Sequence, residues 1–89
     1  DNYFVYNNLA NTYVRMGNLV KAIENYSKVL QLEPDNINTQ KNLQNVLKIY
    51  QNSLTPADAV DALKKYVQLY PEVALFQINL EAMYKKNGG

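Results

Sequence analysis

Asp58 and Asp61 stand about one helical turn apart, the spacing of a carboxylate pair that could do general acid–base work. Both also fall in the first turn of a strongly marked helix. Acids are favoured there by the positive end of the helix dipole, and that structural reading takes precedence. Lys64-Lys65 and Lys85-Lys86 come late in their helices and read as solvated faces that suit the dipole. The stretch "KKNGG" lacks the strand and helix that a phosphate-binding glycine loop needs on either side. The 89 residues contain no histidine and no cysteine. The commonest general base, the thiolate nucleophile and the best transition-metal ligands are therefore missing. The pattern predicts a chain that is not an enzyme and needs no cofactor or metal. What remains is amide chemistry. An Asn-Leu pair recurs at 8–9, 42–43 and 79–80, each time inside a helical pattern where asparagine is a mediocre choice.

These residues must be held by a small core. The chain is 47% hydrophobic and 19% charged, within the globular range, and its length allows one domain. A formal charge of +1 argues against a dedicated nucleic-acid binder. The apolar runs are short, so direct membrane insertion is not expected. The absence of an initiator Met and of a signal-peptide pattern reads as a processed chain or an excised fragment. Breaks at Gly17-Asn18, "LEPDN", "NSLTP", "YPE" and Asn87-Gly88-Gly89 delimit five amphipathic stretches. Apolar residues recur at helical spacing in each: Tyr6, Leu9, Ala10 and Tyr13; Leu19, Ala22, Ile23, Tyr26, Val29 and Leu30; Leu43, Val46, Leu47 and Tyr50; Ala59, Ala62, Leu63, Tyr66 and Val67; Phe76, Leu80, Met83 and Tyr84. Eight of the ten aromatics are tyrosine, and they lie mostly on these stripes, where core packing explains them better than base stacking. Thr55-Pro56 marks one start plainly, with Thr55 as N-cap and Pro56 at the first helical position. The reading is all-α, with helices near 3–16, 19–32, 37–52, 56–69 and 74–87.

The helices also pair. Ala22 to Ala59 and Pro34 to Pro71 share one spacing. Tyr6, Leu9, Ala10, Tyr13, Gly17, Ala22, Tyr26 and Pro34 stand at the offsets of a tetratricopeptide repeat, which this stretch resembles. A weaker second copy keeps Leu43, Leu47, Ala59, Leu63 and Pro71. It has Gln44 at the small-residue position and a short insertion around "QNSLT". A third copy is only a first helix, with Leu80, Tyr84 and Gly88. The resemblance implies a right-handed superhelix of stacked hairpins over residues 1–89. Its units are 3–36, 37–73 and 74–89, the last being a cap or the start of a further repeat. Leu9, Leu43 and Leu80 would face the stacked core.

The resemblance further implies a concave groove lined by the first helix of each pair. Its positions here hold Phe4, Asn7, Asn8, Asn11 and Arg15, then Lys41, Asn42, Asn45 and Lys48, then Leu75, Ile78, Asn79, Ala82 and Lys86. An asparagine amide offers two donors and two acceptors, so a row of them can hold both N–H and C=O of an extended peptide. The lysines add a preference for acidic ligands. Asn8, Asn42 and Asn79 share one repeat position, like the asparagine ladder of some peptide-binding arrays. Chaperone-tail binders of this family add basic residues at positions that hold Asn7, Leu75 and Asn79 here. That clamp lacks its cations, so capture of a chaperone tail is not expected. The expected function is a non-catalytic scaffold binding a protein or peptide segment in the groove. Its rivals are self-association through the apolar side of the last helix, giving a homo-oligomer, and an appendage that positions another domain.

Overall fold

A computed structural model of the chain describes residues 2–88. Asp1 and Gly89, which the sequence reading places in the domain and in its terminating turn, lie outside the described residues. Five helices follow one another: α1 (Asn2–Arg15), α2 (Leu19–Leu32), α3 (Ile37–Asn52), α4 (Pro56–Leu69) and α5 (Ala74–Gly88). Among the described residues there is no strand. The chain is an all-α helical-repeat stack.

Local chemistry sets the boundaries. Gly17 has φ +78°, and its N–H donates to the Val14 carbonyl at 3.0 Å. The Asn18 N–H donates to the Tyr13 carbonyl at 2.8 Å, which completes a Schellman turn. Asn18 then caps α2, its Oδ1 accepting from the Lys21 N–H at 3.2 Å. Asn36 caps α3 through the Thr39 N–H at 3.0 Å. Thr55 caps α4 through the Asp58 N–H at 3.1 Å, with Pro56 as the first helical residue. Several asparagines of this chain therefore work as helix caps.

Packing follows the apolar stripes. Ala10 and Ala22 are fully buried, which lets α1 and α2 lie close along their length. Ile23, Leu43, Leu47, Leu63 and Phe76 fill the core between pairs. The joint between α3 and α4 is much wider. At the position that Ala10 occupies in the first pair, α3 carries the longer Gln44. Aromatic rings occupy the wider joint instead. Tyr66 stacks on Phe76 at 5.0 Å between centroids and reaches Tyr50 at 6.5 Å, with Tyr70 alongside.

One expectation is corrected here. Leu9 is 42% exposed, whereas its counterparts Leu43 and Leu80 are 0% and 6% exposed. The counterparts are covered by the helix before their own, and among the described residues no helix precedes α1. In the last helix Leu80 faces the core as expected, with Phe76 beside it. Both are buried, and Tyr84 is the exposed member of that stripe.

Candidate functional site

Side-chain amides tie the odd-numbered helices into one layer. Asn7 on α1 accepts a hydrogen bond from the Thr39 hydroxyl on α3 at 3.4 Å. Between α3 and α5 the bridge is reciprocal. Gln44 Nε2 donates to Asn79 Oδ1 at 3.2 Å, and Asn79 Nδ2 donates to Gln44 Oε1 at 2.8 Å. Gln51 Nε2 adds a further bond to Asn79 Oδ1 at 3.0 Å, and Asn79 Nδ2 also reaches the Leu75 carbonyl at 2.7 Å.

The three asparagines at one repeat position therefore sit in three environments. Asn8 is exposed, Asn42 is half-buried, and Asn79 is 8% exposed with its amide occupied. This gradient has a simple origin. Asn79 packs against the preceding odd helix, α3, and among the described residues no helix precedes α1. Asn11 is half-buried as well, and its Oδ1 accepts from the Tyr26 hydroxyl on α2 at 2.5 Å. That bond supplies the partner a buried tyrosine hydroxyl requires. Burial pushes the Tyr26 phenol above its ordinary pKa.

Arg15, Lys41, Asn45 and Lys48 are exposed. Lys41 and Asn45 border a depression of about 390 Å³ with Gln40, Gln44 and Leu75. Lys48 lies on a larger cleft of about 540 Å³ between α3 and α5, with Lys86 on the other wall and Asn79 and Gln51 in its lining. So the structure brings together Lys41 with Asn45, and Lys48 with Asn79. It leaves Asn7, Asn8, Asn11 and Arg15 on α1, apart from these depressions. Gln44 and Gln51 were not foreseen as site residues. The only signal for them was the misfit of Gln44 at a small-residue position. Among the described residues no group of His, Cys, Asp or Glu is placed to hold a metal ion, and no helix is long and apolar enough to cross a membrane.

The family model of the tetratricopeptide repeat matches residues 3–36, which span α1, α2 and the turn after them. No curated protein and no solved structure matches the chain closely enough to add to this.

Proposed function

Because its first helix pair is a tetratricopeptide repeat, a unit that generally mediates protein–protein interaction without catalysis, we propose that this chain binds an extended segment of a partner protein. The segment lies across the layer formed by α1, α3 and α5. The helices from 37 onward act as a second, modified repeat and a closing helix. One observation carries this reading. The depressions between α3 and α5 are lined by amides and lysines, with Lys41 and Lys48 standing free of any carboxylate at ion-pair distance among the described residues. Side chains of this kind hold peptide backbone and acidic groups together.

The test is a pulldown from lysate with the native chain and with Asn45→Ala/Lys48→Ala, followed by identification of what differs. Both residues are exposed, so the variant should melt like the native chain while losing the partner. Retention of every captured protein by the variant would sink the groove reading.

Self-association is a second reading, and a different observation favours it. Val5 and Leu9 are 58% and 42% exposed on the outer side of α1, at positions where an internal repeat is covered. Leu80 is buried in the core, so this reading takes the exposed side of α1 rather than that of α5 as the contact surface. Sedimentation of the native chain against Leu9→Lys decides it: a dimer abolished by the substitution supports self-association, and a monomer in both removes it.

A further inference from the structure

Three depressions join end to end along the seam between α3 and α5. The first, about 320 Å³, holds Asp35 and Glu72 beside Val73 and Ile78. It shares Gln40 and Leu75 with the second, and the second shares Gln44 with the cleft that holds Lys48 and Lys86. Together they form a trench with two carboxylates at one end, the Lys41 ammonium beside its middle and two ammonium groups at the other. Its middle is walled by Leu75 and floored by the Gln44–Asn79 bridge. Gln44 on α3 crosses the seam to Asn79 on α5.

Helix dipoles account for only part of this charge order. The dipole acts within the last turn of a helix. Lys86 lies in the last turn of α5, where the dipole favours it, but Lys48 lies before the last turn of α3. Among the described residues the one ion pair is Lys21–Glu24 at 3.6 Å, far from the trench in sequence. Glu72 Oε1 accepts from Gln31 Nε2 at 3.1 Å, and none of the trench charges is held in an ion pair among the described residues.

We propose that the trench takes an extended protein segment with a basic residue at one end, an apolar residue in the middle and an acidic residue or C-terminal carboxylate at the other. The basic end lies against Asp35 and Glu72, and the acidic end against Lys48 and Lys86. Lys48 follows Asp35 by thirteen positions, most of them in α3. At a rise of 1.5 Å per residue this is about 20 Å, which an extended chain covers in about six residues. This inference rests on the groove reading and specifies its ligand.

The test uses two fluorescent peptides of about seven residues and identical composition. One has its lysines and glutamates segregated to opposite ends around a leucine, and the other has them alternating. Anisotropy should show the segregated peptide binding about tenfold tighter at low salt. The preference should vanish in Lys48→Glu/Lys86→Glu, whose sites are exposed and whose fold is checked by circular dichroism. The chain has no cysteine, so Asn52→Cys can carry a single spin label at the basic end of the trench. That label should broaden the NMR signals of the peptide's acidic end. Equal affinities, no binding of either peptide, or broadening of the basic end would each overturn the charge order. Equal affinities together with a partner lost from the Asn45→Ala/Lys48→Ala pulldown would leave the groove reading standing and remove only this refinement.

Discussion

Asn8 and Asn79 occupy the same repeat position, yet their replacement by alanine should have unlike consequences. Asn79→Ala removes three bonds between helices, two with Gln44 and one with Gln51. A hydrogen bond contributes a net ~0.5–1.5 kcal/mol, and a buried partner left unsatisfied costs more. Gln44 and Gln51 are only half-buried, so water recovers part of what they lose. The bond from Asn79 to the Leu75 carbonyl lies within α5, and its loss leaves that carbonyl its helical partner. The expected destabilisation is about 2 kcal/mol, or roughly 8–16 °C in melting temperature for a chain of this size. Asn8→Ala removes an exposed side chain and should change stability by no more than about 0.5 kcal/mol. Urea unfolding followed at the helical circular-dichroism band gives both values on one scale, with equal m-values expected. Matching losses at the two positions, or a loss below about 0.5 kcal/mol at Asn79, would refute the claim that the α3–α5 bridge is a structural fastening.

Gly17→Ala should lower stability by ~1–2 kcal/mol in the same assay. No atom lies within 4 Å of the added methyl group, so the loss would come entirely from the left-handed backbone at φ +78°. Ala22→Leu should cost ~1–3 kcal/mol, because Ala22 is fully buried where α2 meets α1. Stability should also fall in alkali. Burial, and then the neighbouring Tyr50, Glu24 and Tyr70 charges, push the Tyr66 phenol well above its ordinary value of about 10, and burial raises Tyr70 too. The folded state therefore favours the neutral phenols. Their contribution is complete below about pH 10 and is lost as pH climbs above it. Urea midpoints from about pH 8 to 11 should decline, and less steeply in Tyr66→Phe.

The helices and their joints were legible because each carries its own local signal. Gly17 and Pro34 break a helix whatever surrounds them, and Thr55-Pro56 caps one wherever it stands. The small residues Ala22 and Ala59 announced close approach, and both are buried. Which apolar positions are covered was not legible for Leu9. Helical period says which side of a helix is apolar, not whether a neighbour stands against it. The amides were the harder case. Asn11 and Asn79 carry the same side chain as Asn8, and only the folded chain shows that a buried Tyr26 hydroxyl claims the first and Gln44 the second. Gln44, which lines the trench, was visible as a departure from the repeat pattern. Its consequence, a bridge across the seam, depends on where α5 comes to rest.

The uneven covering of Leu9, Leu43 and Leu80 also orders the chain in time. In a linear stack each helix is stabilised by its immediate neighbours alone. Release of α1 uncovers a leucine already half in water and disturbs one main interface, whereas release of α2 must break packing on both α1 and α3. Amide hydrogens of α1 should therefore exchange with solvent by a shallow local opening, while those of α2, around Ile23 and Val29, wait for events close to global unfolding. Of these two helices, α1 is the one that opens first, at its outer leucine.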